Sequence, residues 1–202
     1  MNPNMRSRIP LVLASTSPSR HSLLQRLKIP FTVIAPDVDE TAQHEEMPQQ
    51  LVTRLAVAKA RAGAAKIQGR ALIIGSDQVA YFENMVIGKP GSRAKAIAQL
   101  EKFSGKKLEF YNGLCVLDTS NGNLETACVP CVVKFRSLSL SQIENYVDLE
   151  PAFNCAGSFK SEGLGIALFE SIKTDDPTSL IGLPLIKLIS ILERFGVSLF
   201  NE

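Results

Sequence analysis

Apolar residues along the chain alternate between short continuous or β-branched runs and stretches with helical spacing. Residues 11–14 form the first apolar run, which ends in Ser-Thr-Ser-Pro, and Ser17 followed by Pro18 has the chemistry of a helix N-cap and first helical residue. This predicts strand, tight loop and a helix to about Leu27, with Leu23, Leu24 and Leu27 on one face, before a strand over 31–35. Pro-Asp-Val-Asp-Glu at 36–40 reads as an acidic loop. From Pro48 to about Lys66, the recurrence of Leu51, Leu55, Ala58, Ala62 and Ala65 predicts an amphipathic helix that carries Lys59 and ends near Gly69. Residues 71–75 are wholly apolar and predict a strand delivering Ser76, Asp77 and Gln78 at its C-terminal end, where open α/β sheets place ligands.

A hairpin around Glu83 and Asn84 leads to Gly-Lys-Pro at 88–90, and Ser92 can cap a helix through Leu100. Two long strands, 108–117 and 124–135, are joined by Asn-Gly-Asn at 121–123. A short helix over 141–147 precedes the glycine-punctuated stretch 156–165, and a closing amphipathic helix spans 185–195 before Gly196. Strands and helices in alternation, with a central hairpin, indicate an α/β protein with a mixed sheet.

The length of 202 residues fits one compact domain, or two lobes around a cleft. With 45% apolar and 21% charged residues, the composition is that of an ordinary globular protein. The net charge is only +2, so no global field draws the chain to nucleic acid or anionic lipid, and any phosphate must be gripped locally. The start carries two arginines, but Ser15 to Arg20 interrupt the apolar run before a signal-peptide core is complete, and no stretch of about 18 apolar residues follows. A cytoplasmic address with no membrane partner is the expectation. Cys128 and Cys131 form a Cys-Val-Pro-Cys pair suggestive of zinc or redox chemistry, yet the run continues with β-like character and Cys115 and Cys155 lie far off in sequence, which favours core cysteines.

Several residues have chemistry at element ends. The hydroxyl-rich turn before the first helix offers N–H groups and a positive dipole end to an anion, with Arg20 as a bidentate donor, although plain capping explains the same residues. Asp77 either caps a turn or faces a cleft as base or metal ligand. Asp37, Asp39 and Glu40 are hard oxygen ligands or simply a solvated loop, and Lys59 and Lys89 either neutralise phosphate or are solvated. No Walker motif is present, which disfavours a P-loop ATPase.

Leu-Ala-Ser-Thr-Ser-Pro-Ser-Arg at 13–20 resembles the opening signature of Maf-like nucleotide pyrophosphatases. Val-Asp-Glu at 38–40, Ala-Lys-Ala at 58–60, Ile-Gly-Ser-Asp-Gln-Val at 74–79, Gly-Lys-Pro at 88–90, Phe-Lys-Ser-Glu-Gly at 159–163 and Gly-Leu-Pro-Leu at 182–185 fit the family in order. The Ser-Asp-Gln and Lys-Ser-Glu-Gly forms resemble its 7-methyl-GTP pyrophosphatase branch. The resemblance implies a Maf/ITPase-like fold spanning 8–202 as one domain, with an elongated mixed sheet flanked by helices and two lobes around a central cleft. It also implies a cytoplasmic homodimer that hydrolyses a nucleoside triphosphate to monophosphate and pyrophosphate with a divalent cation, Mg²⁺ or Mn²⁺. Asp77 matches the proton acceptor. Ser15, Arg20, Glu40, Lys59 and Lys89 match positions lining the phosphate and metal site, with Glu40 and Asp77 toward the metal. Ser19, Gln78 and Glu162 match positions that set base choice, and the acceptor-only carboxylate of Glu162 suits the N1–H and N2–H₂ donors of guanine. Ser19 stands where that branch often carries tryptophan, and this chain has none. A hydrolase of UTP, dTTP or another nucleotide, and a non-catalytic nucleotide sensor of growth or division, are the alternative readings.

Overall fold

In the computed structural model, which describes residues 9–200, one seven-stranded mixed sheet carries the chain. The basic start and the outer limits expected for the domain, residues 8 and 201–202, lie outside the described residues. The strands are β1 (Leu11–Ala14), β2 (Phe31–Ile34), β3 (Leu72–Phe82), β4 (Met85–Ile87), β5 (Lys107–Asp118), β6 (Leu124–Phe135) and β7 (Phe169–Lys173). They run in the order β2-β1-β3-β5-β6-β7, with β4 hairpinned onto β3. β1 pairs in parallel with β2 and β3, and every other pairing is antiparallel. The helices are α1 (Pro18–Gln25), α2 (Pro48–Ala64), α3 (Arg93–Phe103), α4 (Leu140–Leu149) and α5 (Leu185–Arg194). No described helix is long and apolar enough to cross a membrane.

The sheet's faces are covered differently. On one, α1 and α5 close an apolar cluster at one end, where Leu23, Leu24, Leu188 and Ile191 meet Leu13, Ile74 and Leu114. At the other end the side chains of α3 and α4 join a cluster centred on Phe103, Phe110, Phe135 and Phe159, whose rings pack largely edge to face. Between the two clusters β3 and β5 present polar residues, with Ser76 opposite Leu114 and Gln78 opposite Asn112. The apolar packing is divided there, so two lobes flank a polar floor.

On the opposite face α2 lies against β3 and β5 in unusually close approach. A Cβ added to Gly75 would stand 2.1 Å from the Ala56 carbonyl oxygen, and one added to Gly113 would stand 1.9 Å from that of Val52. This contact corrects the expected helical stripe. The buried positions of α2 are Leu51, Val52, Leu55, Ala56, Lys59, Ala60 and Gly63, whereas Ala58 and Ala62 are half-buried and Ala65 is exposed. The inward face is set by where the backbones nearly touch, at Val52 against Gly113 and at Ala56 and Ala60 against Gly75.

Two further expectations change. β3 does not stop at Gly75 but runs to Phe82, so Ser76, Asp77 and Gln78 sit in mid-strand. β7 was not expected at all. It is a five-residue edge strand in which only Phe169 is buried, too little alternation to signal a strand. Cys128 and Cys131, three residues apart on β6, fall on opposite faces of the sheet. All four cysteines are free, and burial pushes the thiols of Cys115, to about 12, and Cys131, to about 11, away from the reactive thiolate.

Candidate active site

The parallel part of β3 ends where β1 ends, at the pair Ala14 and Gly75, and β4 joins the same edge only from the pair Ala80 and Ile87. Residues 76–79 therefore have β5 on one side and no strand on the other. The chain leaves β1 through Ser15, Thr16 and Ser17 into α1, and this turn forms one wall of the opening. The Ser15 hydroxyl accepts from the Ser17 N–H at 3.1 Å, and Ser17 caps α1 by accepting from the Arg20 N–H at 3.4 Å. A cleft of about 720 Å³ results, lined by the nine residues that the family resemblance assigned to the site, Ser15, Ser19, Arg20, Glu40, Lys59, Asp77, Gln78, Lys89 and Glu162, but not by the candidate ligands Asp37 and Asp39.

At its centre is a lysine shared by two carboxylates. Lys59 Nζ lies 2.6 Å from Asp77 Oδ1 and 2.5 Å from Glu40 Oε1. The Lys59 and Asp77 side chains are only 7% and 10% exposed, whereas that of Glu40 is 60% exposed on its loop. The close seating of α2 explains the contact, because Gly113 is the cross-strand partner of Asp77 and Gly75 lies two residues before it. Lys59 thus enters the site ion-paired, held between the two carboxylates. Its hydrogen bond holds the Glu40 carboxyl below its ordinary range, helped by the charges of Lys59, Lys89 and Arg20 against the opposing effect of burial.

Arg20 is anchored by its Nε, which donates to the Gly182 carbonyl at 2.8 Å. Burial pushes its guanidinium below the ordinary value, and Asp77 and Glu40 push it back. Lys89 is exposed on the cleft rim. The Ser19 hydroxyl donates to Glu162 Oε1 at 3.4 Å, so two of the expected base-side residues face each other. The third is turned aside: the Gln78 amide nitrogen donates to the carbonyls of Ser179 and Leu180 at 3.0 and 3.1 Å, which leaves mainly its oxygen for other partners.

Sequence reasoning missed the loop that Gln78 holds. Gly182 has φ +123°, which suits glycine, and its carbonyl also accepts from Ser76 Oγ at 3.2 Å. Asp176, 2% exposed, builds this loop by accepting from Thr178 and from the first N–H groups of α5, at Ile186 and Lys187. Asp-Asp-Pro-Thr at 175–178 was the available turn signal. Asn112, wholly buried beside Gln78, has neither amide atom paired.

Among the described residues, no three His, Cys, Asp or Glu side chains gather as a metal cage. The two converging carboxylates, Glu40 and Asp77, nevertheless fit a hard divalent cation of the kind held by one or two carboxylates together with substrate phosphates. Two carboxylates around a lysine, with an arginine and a second lysine on the walls, can bind a polyphosphate and activate a water beside it.

A family model described as Maf-like protein matches residues 10–195. The chain is 50% identical over 192 residues to the 7-methyl-GTP pyrophosphatase of Colwellia psychrerythraea, covering 95% of this chain and 96% of that relative. It is 51% identical over 192 residues to the 7-methyl-GTP pyrophosphatase of Pseudoalteromonas translucida, covering 95% of each. The solved Staphylococcus aureus Ham1 protein is 13% identical with a TM-score of 0.49, covering 92% of this chain and 99% of that one.

Proposed function

The chain belongs to the Maf-like protein family, and we propose that it hydrolyses 7-methyl-GTP, or a closely related modified nucleotide, to the monophosphate and pyrophosphate. The observation that carries this reading is the meeting of Asp77, Lys59, Glu40, Arg20 and Lys89 in one cleft, in a chain similar along 95% of its length to two relatives named for that activity. In the proposed reaction Asp77 orients a water and takes its proton as the water oxygen bonds to the α-phosphorus. The bond from that phosphorus to the oxygen bridging the β-phosphate breaks, and its electron pair leaves with pyrophosphate. Lys59, Lys89 and Arg20 stabilise the growing charge on the leaving group. Glu40 and Asp77, with phosphate oxygens, would hold Mg²⁺ or Mn²⁺, which supplies charge neutralisation when bound. Ser15 shapes the turn beneath the phosphates.

On the base side, Glu162 offers only acceptors and so favours the two neighbouring donors of guanine, and its charge also favours a ring made cationic by N7 methylation. Gln78 contributes by holding the 179–182 loop, and Ser19 by orienting Glu162. Residues 8–202 act as one catalytic unit, which we place in the cytoplasm as a homodimer with the nucleotide, and neither nucleic acid nor membrane, as its partner. Pyrophosphate release from 7-methyl-GTP, GTP, UTP and dTTP with Mg²⁺ or Mn²⁺ tests the reading, beside Asp77→Asn. Turnover fastest on 7-methyl-GTP and reduced roughly a hundredfold in the variant is expected. A preference for UTP or dTTP would overturn the substrate, full activity of Asp77→Asn would remove that residue from the mechanism, and tight binding without pyrophosphate release would favour a sensor.

A further inference from the structure

Gln99, on the inner side of α3, lines neither the cleft nor any contact with the charged residues, yet its amide joins the two segments that supply the cleft's far wall. Its nitrogen donates to the Gly88 carbonyl at 3.0 Å, and its oxygen accepts from the Ser158 hydroxyl at 2.5 Å. The orientation is fixed by chemistry: a carbonyl can only accept, so the amide NH₂ must face Gly88 and the amide oxygen is left for Ser158.

Each end of this bridge stands next to a cleft residue. Gly88 precedes Lys89, which in turn precedes the buried Pro90, so Lys89 is confined to extended backbone. The other side of the Lys89–Pro90 unit is tied by the Gly91 N–H, which donates to the Phe153 carbonyl at 2.9 Å. With Gly88 held by Gln99, the lysine's direction into the cleft is set from both sides. Ser158 immediately precedes the run Phe159 to Glu162 that lines the cleft, and it is 1% exposed with φ +64°, an uncommon conformation for serine that follows Gly157 at φ +80°. A strained residue of this kind persists where its surroundings over-determine it, and the short hydrogen bond to Gln99 is one of the contacts that hold it.

We propose that Gln99 is a positioning residue that holds both the phosphate-side lysine, Lys89, and the base-side segment carrying Glu162, one through each half of its amide. This rests on the proposed pyrophosphatase reading for the roles of those two residues. The two halves of the amide are separable by substitution. Ser158→Gly removes the hydroxyl, suits the positive φ and leaves the bond to Gly88 intact. Gln99→Glu keeps an acceptor for Ser158 but sets a carboxylate against the Gly88 carbonyl. Gln99→Met fills similar space and loses both bonds.

The experiment measures two quantities on wild type and the three variants: affinity for inorganic pyrophosphate with Mg²⁺ by calorimetry, and the ratio of kcat/KM for 7-methyl-GTP over dTTP. Thermal unfolding is followed alongside. The expected result is a split. Gln99→Glu weakens pyrophosphate about fivefold, the scale of one hydrogen bond, with little change in the base ratio. Ser158→Gly lowers the base ratio about fivefold with pyrophosphate affinity kept, and Gln99→Met does both. Losses that merely follow Tm in all three variants, or no change in either readout, overturn the positioning role. A wild type that releases no pyrophosphate from any nucleotide overturns the proposed function instead, and pyrophosphate affinity in the variants then decides the role of Gln99.

Discussion

Adding one methyl group at Gly113 should loosen the active site without touching a charged residue. The new Cβ would stand 1.9 Å from Val52 O, 2.3 Å from Val52 C and 2.9 Å from Thr53 N, all backbone atoms of α2, so no side-chain rotation relieves the clash. Because Cβ contacts essentially never fall below 3.0 Å, α2 must retreat from the sheet by about 1.1 Å. Overpacking of this kind costs about 1–3 kcal/mol. For a chain of this size that corresponds to a Tm lowered by roughly 2–4 °C per kcal/mol. The same movement carries Lys59 away from Asp77, which sits opposite Gly113 and is now 2.6 Å from the lysine. A displacement of 1 Å in a catalytic constellation can cost about a hundredfold in rate. The flexible lysine stem recovers part of the gap, so a loss in kcat of about tenfold is expected. Differential scanning calorimetry and pyrophosphate-release kinetics on Gly113→Ala measure both effects. Wild-type Tm together with wild-type kcat would refute the claim that helix seating sets the lysine and carboxylate geometry.

Glu162→Gln should shift preference toward UTP or dTTP, since an amide can both donate and accept where the carboxylate only accepts, and kinetic constants for the four nucleotides check it. Ser19→Trp should widen the preference for 7-methyl-GTP by about 0.5–2 kcal/mol through stacking on the cationic ring, and an unchanged ratio would show that position 19 does not reach the base. Asp118, 2% exposed, has its pKa lowered by the Ser120 hydroxyl first, then the Ser120 N–H and Arg70, against the effect of burial. The stability it contributes is therefore present above the ordinary value of 3.8 and lost as pH falls through its lower folded value. Asp118→Asn should be less stable than wild type in urea denaturation at neutral pH, with the difference vanishing in strong acid, and an equal difference at all pH values would exclude the linkage.

The elements were legible where one residue class dominated. Leu and Val, with Phe110, Tyr111 and Phe135, recur through β5 and β6, and Ser17-Pro18, Ser92 and Gly196 punctuate helices as their chemistry requires. The sequence ends β3 near Gln78 because Ser76, Asp77 and Gln78 break the apolar run, and its extension comes from pairing with β5 at long range, where tertiary context overrides propensity. The helical stripe of α2 was misplaced for a related reason: alanines occur all round that helix, and only the approach to Gly75 and Gly113 selects Ala56 and Ala60 for the inside. For the site, the sequence singled out residues that meet in one cleft, but their pairings were not readable. Lys59 being shared by Glu40 and Asp77, and Gln78 being turned to the 179–182 loop, depend on contacts between distant segments that no local pattern encodes.

The location of the cleft follows from a single interruption in the sheet. Ser15, Thr16 and Ser17 end β1 by turning the chain into α1, so the segment that stops the parallel pairing also leaves residues 76–79 with an open edge and brings Arg20 beside it. Had β1 continued four residues further, it would have paired with that edge and closed the opening beside residues 76–79. On the opposite face, glycines at 75 and 113 admit α2 closely enough for Lys59 to reach the same carboxylate. The charges gathered there, Arg20, Lys59 and Lys89 against Glu40 and Asp77, leave one net positive charge within a chain whose total is only +2. Against a triphosphate that local surplus is small, and the divalent cation proposed for the two carboxylates would raise the positive charge where the leaving pyrophosphate forms and leave the protein's outer field almost unchanged.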